Sequence, residues 1–405
     1  MQCGKAVIET FVHLDFHKLT VVEPCTAESA LVKFETKRFH KVQLCTGVGA
    51  KAYDIASIRR NLRLKKNQGE HEPCILADGE GKIAPRIRII MTVALKPNPN
   101  LLQTDFCGLG LASPIVLLSG CVGFGEEYTR IEGFSNRDVG AIVLKGTTLE
   151  PRLGNSPHRV YETPEGMLNA IGLQNPGVDK VVDDILPELD FSETRFMANV
   201  CGSTIDDYEA VTRRFDDSSI DAIEINISCP NIKKGGVSFG NYPDMSAQVI
   251  EACRRATNKP IIAKLSPNQT DIQENARLCI EAGADALAVI NTVMGMAIDV
   301  KTREPVIGNV RGGLSGPAIK PIALLKVHQV YQIAGPKNIP IIGQGGITTV
   351  DDALEFIIAG STTIGIGTAL FYDPLLCRKI NAGITEYLAR HELGSVMELV
   401  GSLNV

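Results

Sequence analysis

Ile339 to Ile347 reads IPIIGQGGI, and Thr362 to Leu370 reads TTIGIGTAL. Each is a short apolar run that stops at glycines, the pattern of a buried strand feeding a tight turn. Either alone is a weak signal. Working back along the chain, similar apolar runs recur at Ile115–Leu118, Ala141–Leu144, Arg195–Val200, Ala222–Ile227, Pro260–Leu265 and Ala284–Ile290. The two glycine turns therefore close a series of eight. Helical stretches fall between the runs: Asp271 is placed to cap one ending at Gly283, Thr349 caps one ending at Gly360, and Pro321 to Ala334 closes on Gly335. Eight strand–helix units in roughly 290 residues predict an α/β chain folded as a (β/α)8 TIM barrel. An open doubly wound sheet is the structural alternative.

Composition sets the frame around this pattern. At 405 residues, 44% hydrophobic and 21% charged, the chain can bury the core of a large barrel and still carry an accessory segment. Residues 1–98 do not follow the rhythm and are expected to be a separate basic extension of unknown fold, with the barrel spanning 99–405. The first hundred residues hold 16 Lys+Arg against 10 Asp+Glu, a net of +6, which leaves −11 for residues 101–405. An acidic main domain argues against nucleic acid as a partner. Within the extension, Ile87–Val93 reads as a strand, Arg59 to Lys66 as a solvated basic helix face, and Lys96–Asn100 as a linker. His13, Asp15 and His17 share one strand face, which a polar surface explains as well as a metal would, and no metal is expected. No apolar run is long enough to span a membrane, and the N-terminus lacks the apolar stretch of a signal peptide. Eleven scattered cysteines without a C-x-x-C pair suit free thiols in a reducing cytoplasm.

In a barrel the site lies where strands end at their C-termini. Here those ends read Ser119-Gly120, Lys145, Asn199, Asn226 with Cys229, Lys264, Asn291-Thr292, Gly345-Gly346 and Gly367-Thr368. Two lysines closing apolar strands are notable, because a buried ammonium needs an anionic partner. The fourth strand, AIEINISCPN (222–231), alternates isoleucines with Glu224, Asn226 and Ser228, so one face is polar. A thiol flanked by two amides can take a proton while the amides hold a small polar ring; the alternative is an Asx turn beside an inert cysteine. The glycine pairs at the last two strands let backbone N–H groups approach a phosphate, belonging to either substrate or cofactor.

Residues 101–380 closely resemble the catalytic barrel of class 1 dihydroorotate dehydrogenases. The resemblance is carried by SGCVGFGEEY (119–128), GAIVLKGTT (140–148), NAIGLQNPG (169–177), NISCPN (226–231), KLSPN (264–268), NTVMG (291–295), GGLSGPAIKP (312–321), GQGGI (343–347) and GIGTALFYDP (365–374). GGLSGPAIKP and NAIGLQNPG look like the 1B branch, whose catalytic subunit pairs with a separate subunit carrying FAD and a 2Fe–2S cluster and passing electrons to NAD. The resemblance implies FMN as cofactor, oxidation of dihydroorotate to orotate in pyrimidine synthesis, and a homodimer or heterotetramer. It departs in two places: the first hundred residues have no counterpart, and Cys121-Val122 stand where Thr-Phe is expected.

Carried over residue by residue, the resemblance places the FMN phosphate on the backbone of Gly316, Gly345, Gly346, Gly367 and Thr368. Ser119, Gly120, Asn199, Lys264, Ile290 and Asn226 would contact the flavin, with Lys145 between flavin and substrate. Asn169, Asn226, Asn231, Asn291 and Thr292, with Ile171, Gly172 and Leu173, would hold the dihydropyrimidine, since each amide offers a donor and an acceptor. Cys229 would take the C5 proton while hydride leaves C6 for the flavin. The glycine-containing stretch from Lys233 to Gly240 would act as a lid. Two rivals share the barrel: a catabolic pyrimidine dehydrogenase acting on uracil or thymine, and a flavin-binding subunit without turnover.

Overall fold

The computed structural model describes residues 101–228 and 239–404, together with the backbone of short strands within residues 9–91 and at 230–231 and 237–238. The chain separates into two compact units, Met1–Asn98 and Pro99–Val405. In the first, Lys18–Val22, Glu9–Asp15 and Arg88–Met91 form one three-stranded sheet, and Leu31–Lys33, Lys41–Cys45 and Ala52–Asp54 form another. The basic helix face expected at Arg59–Lys66 and the side chains of His13, Asp15 and His17 lie outside the described residues.

The second unit is a closed barrel of eight parallel strands in chain order: β1 (Ile115–Leu117), β2 (Ala141–Thr147), β3 (Arg195–Val200), β4 (Ala222–Asn226), β5 (Ile261–Leu265), β6 (Ala286–Val289), β7 (Ile341–Gln344) and β8 (Thr363–Ile366). β8 pairs in parallel with β1, Ile364 opposite Ile115, and leaves no open edge. The doubly wound alternative is thereby excluded. Along each strand alternate residues face opposite ways. Val116, Val143, Met197, Ile262, Ala288 and Ile342 fill the interior, while Ile223, Ile225 and Ile227 join the outer cluster beneath the helices.

Six helices of eight or more residues flank the described barrel: α1 (Ile205–Asp216), α2 (Pro243–Ala256), α3 (Ile272–Glu281), α4 (Lys320–Ala334), α5 (Val350–Ile358) and α6 (Leu376–Arg390). α1 buries Tyr208, Val211, Thr212 and Phe215, the i, i+3, i+4, i+7 stripe of a helix packed on a sheet. The caps expected at Asp271 and Thr349 are present: Asp271 accepts from the Glu274 N–H, and Thr349 forms a reciprocal box with Asp352.

One expectation needs correction. The first two units carry no ordinary helix. Between β1 and β2 the chain makes 3-10 turns at Tyr128–Arg130 and Asn136–Asp138, because Gly120, Gly123, Gly125 and Gly133 all take positive φ and interrupt helical winding. After β2 there is a single α-turn, Val178–Lys180, that widens into a π-turn over Val181–Ile185. α4 ends at Ala334 and is capped by Gly335, as expected, though Gly335 keeps a helical φ of −57°. Pro336 lacks the N–H that would continue the ladder, so the chain tightens to a 3-10 turn and stops at left-handed Asn338, φ 54°.

Two additions shape the ends of the barrel. The hairpin Thr104–Phe106/Leu109–Leu111 sends Phe106 and Leu111 into the inner core, and the Cys107 thiol donates to Asp285 O at 3.4 Å, just before β6. It therefore covers the N-terminal ends of the strands. Beside the opposite end, Val160–Thr163, Gly166–Asn169, Gly312–Ser315 and Val293–Gly295 form a four-stranded antiparallel sheet.

Candidate active site

A cleft of about 260 Å³ opens at the C-terminal ends of the strands. Ser119, Gly120, Asn169, Ile171, Lys264, Ile290, Asn291, Thr292, Gly316, Gly345, Gly346, Gly367 and Thr368 all line it. These residues come from β1, β5, β6, β7 and β8 and from the four-stranded sheet, so the barrel assembles one site from segments far apart in sequence.

At one end lies a glycine cradle. Gly316, Gly345 and Gly346 have φ of 97°, 126° and 91°, a region that costs an L-residue about 1–2 kcal/mol. Space forbids side chains as well. A Cβ on Gly346 would stand 2.8 Å from Lys320 Cβ and 2.9 Å from Gly316 O, and one on Gly316 would stand 2.7 Å from Gly166 Cα. The Thr368 hydroxyl donates to Ser315 Oγ at 2.8 Å and ties the β8 turn to the sheet. Lys320 is turned away from the cradle: its ammonium bonds Asp352 at 2.6 Å and Glu355 at 2.8 Å. What the cradle offers an anion is closely approachable backbone, which suits a phosphate.

Lys264 forms part of the floor, its side chain 8% exposed, and its ammonium donates to Glu224 Oε1 at 3.1 Å. Asn199 does not line the cleft; it lies beneath it, 1% exposed, donating to the same Glu224 oxygen. Cys121 sits nearby in the cleft wall. Burial pushes its thiol up to about 11, against the pull of the Lys264 and Lys145 ammonium groups. The Lys145 ammonium has no hydrogen-bond or ion-pair partner among the described residues.

The amides form a linked set. Asn291 Nδ2 donates to Asn226 Oδ1 at 3.1 Å and to Ser228 Oγ at 2.9 Å, and the Ser228 N–H donates to Asn226 Oδ1 at 3.3 Å. With its oxygen engaged, Asn226 keeps its N–H₂ donors for another partner. Tyr208 on α1 fixes the strand end by donating to Asn226 O at 2.7 Å. Asn169 donates to Gly313 O at 3.3 Å, leaving its side-chain oxygen available. Gly313 admits no side chain, since a Cβ there would be 2.1 Å from Thr292 Oγ1.

Gly172 and Leu173 do not line the cleft. A Cβ on Gly172 would meet Asn155 N at 2.5 Å, and Leu173 packs on the outer core at φ 56°. Cys229, the Asn231 side chain and residues 232–236 lie outside the described residues. At the far end of the expected lid, Gly240 N–H donates to Ile227 O at 2.7 Å and Phe239 packs edge-on against Tyr208. Sequence reasoning passed over Gln344, which lines the cleft and donates to Ile290 O at 2.9 Å while its buried Oε1 has no partner among the described residues. Its place, two residues after Ile342 on the inward face of β7, was the available signal. Glu224 was visible on the polar face of β4 but carried no assigned role.

A closed parallel barrel with a glycine cradle, a floor lysine and a cluster of amides at its C-terminal mouth defines an enzyme of the (β/α)8 class. A profile of the dihydroorotate dehydrogenase family matches residues 101–388. The chain is 47% identical over 303 residues to the dihydroorotate dehydrogenase B (NAD(+)) catalytic subunit of Geobacillus kaustophilus, covering 75% of this chain and 95% of that protein. It is 48% identical over 301 residues to the subunit of the same name from Listeria monocytogenes serotype 4b, covering 74% and 97%. With that from Geotalea daltonii it shares 46% over 305 residues, covering 75% and 98%. The chain belongs to the dihydroorotate dehydrogenase family.

Proposed function

We propose that this chain is the catalytic subunit of a class 1B dihydroorotate dehydrogenase, oxidising (S)-dihydroorotate to orotate in pyrimidine biosynthesis with FMN as cofactor. The observation that carries the reading is the meeting, at one barrel mouth, of the glycine cradle, Lys264 and the Asn226–Asn291–Ser228 cluster. The cradle glycines cannot accept side chains, and apolar Leu118, Ile290, Ile319 and Ile347 line the cleft between polar groups. That combination fits a flat ring with a phosphate tail. Bound there, FMN supplies the two-electron acceptor.

The chain's residues divide the remaining work. Gly316, Gly345, Gly346, Gly367 and Thr368 hold the phosphate, and Lys264 stabilises negative charge gathered on the ring. Asn226, Asn169, Asn291 and Asn231 hold the substrate ring through amide pairs. Lys145, with its ammonium uncommitted, takes the substrate carboxylate. Cys229 removes the C5 proton as the C6 hydrogen leaves with its bonding electrons. Ser228, the residue before it, is bonded to Asn291 in the amide cluster, which supports a thiol close to the ring. Electrons then pass to a separate subunit carrying FAD and a 2Fe–2S cluster, in a homodimeric or heterotetrameric assembly. No described helix is long and apolar enough to cross a membrane. The described cysteines are all free thiols, which supports a cytoplasmic setting.

Anaerobic titration of the purified chain with L-dihydroorotate, followed at the flavin band near about 450 nm, tests the reading. Bleaching by dihydroorotate but not by dihydrouracil is expected and separates this activity from that of a catabolic pyrimidine enzyme. Cys229→Ser should keep FMN and slow bleaching by about 10²–10⁴-fold. A yellow protein that neither substrate bleaches would contradict it.

A further inference from the structure

Glu224 is fully buried inside the barrel, and its Oε1 bonds both the Lys264 ammonium and the Asn199 amide. Asn199 is at the level of Glu224, opposite it in the β3–β4 register, and Lys264 is one inward position nearer the cleft, opposite Asn226 in the β4–β5 register. Glu224 Oε2 is buried and has no partner among the described residues. Below this level the interior is apolar, filled by Val116, Val143, Met197, Ile262 and Ile342. An ion pair in such surroundings is seldom kept for packing, since apolar residues of similar volume do at least as well. Glu224 is fully buried, whereas Lys264 both lines the cleft and pairs with it.

We infer that Glu224 is a positioning residue: it fixes the Lys264 ammonium at the cleft floor and, through its own negative charge, holds down the reduction potential of the flavin bound above. The inference rests on the flavin reading of the cleft. A carboxylate beneath the ring opposes the negative charge that reduction adds, whereas Lys264 favours it. The pair therefore sets a balance that neither residue sets alone.

The test is the midpoint potential of the FMN-loaded full chain, measured anaerobically for the parent and for Glu224→Gln. The variant should favour reduced flavin at least tenfold, an upward shift of about 30 mV for a two-electron couple. Lys264→Met should shift the potential downward. A Glu224→Gln potential equal to the parent's overturns the inference while leaving the cofactor reading intact. A parent chain that cannot be loaded with FMN overturns both. If Glu224→Gln does not fold, the comparison moves to the Lys264→Met background, where Glu224→Gln leaves no uncompensated buried charge. There the second change should again raise the potential, and it should raise the melting temperature above that of Lys264→Met alone. Failure of the potential to rise in that background overturns the inference.

Discussion

At the scale of single residues, the cradle makes the sharpest demand. Gly346→Ala would place a methyl group 2.8 Å from Lys320 Cβ and 2.9 Å from Gly316 O at φ 91°. Backbone must shift to relieve that contact, and the turn that shifts is the one proposed to hold the phosphate. FMN affinity should fall at least about tenfold, corresponding to roughly 1.4 kcal/mol, as read by fluorescence titration of the flavin-free protein. Unchanged affinity would remove Gly346 from the phosphate site. These glycines were legible in the sequence because two strand-to-glycine turns close an eightfold series. Glu224 and Gln344 were less so: alternation tells which side of a strand a residue faces, but not whether it reaches the ligand or lies one layer below. Asn199, expected at the flavin, falls in that deeper layer for the same reason.

At the scale of elements, the start of α5 links helix capping to the cradle. Asp352 accepts from the N–H groups of Thr348 and Thr349 and pairs with Lys320 at the first turn of α4. Burial works to raise the Asp352 carboxyl, but Lys320 and the threonine donors outweigh it and hold it down to about 2 from an ordinary 3.8. A depressed carboxylate stabilises the fold above its unfolded value and loses that contribution as pH falls from about 4 through 2. The contribution is about 2 kcal/mol at neutral pH. Asp352→Asn should be destabilised by about that amount at pH 7 in urea unfolding, with the gap to the parent closing by about pH 2. A gap that persists at low pH would show the loss to be one of shape alone. The strands and capped helices were readable because period and cap residues agree. The missing helices of the first two units were not, since there closely spaced left-handed glycines override an otherwise helical interval.

At the scale of the whole molecule, the two units divide the chain at Asn98 and Pro99, and the family match begins at residue 101. The Geobacillus, Listeria and Geotalea subunits are covered over 95–98% of their length by about three quarters of this chain. A chain beginning at Pro99 should therefore keep FMN and the dihydroorotate half-reaction, with a rate constant within about twofold of the full chain, a difference of under about 0.5 kcal/mol in barrier. Single-turnover bleaching measures it, and loss of flavin on truncation would make the first unit part of the site.

The hairpin carrying Phe106 and Leu111 seals the end of the barrel opposite the cleft. With the barrel interior filled by side chains and its far end sealed, the site is a cul-de-sac: precursor and product share one doorway. Orotate that lingers there excludes the next dihydroorotate, so it should act as a competitive product inhibitor. Pyrimidine supply would then restrain its own oxidation step through occupancy alone, without a second regulatory site.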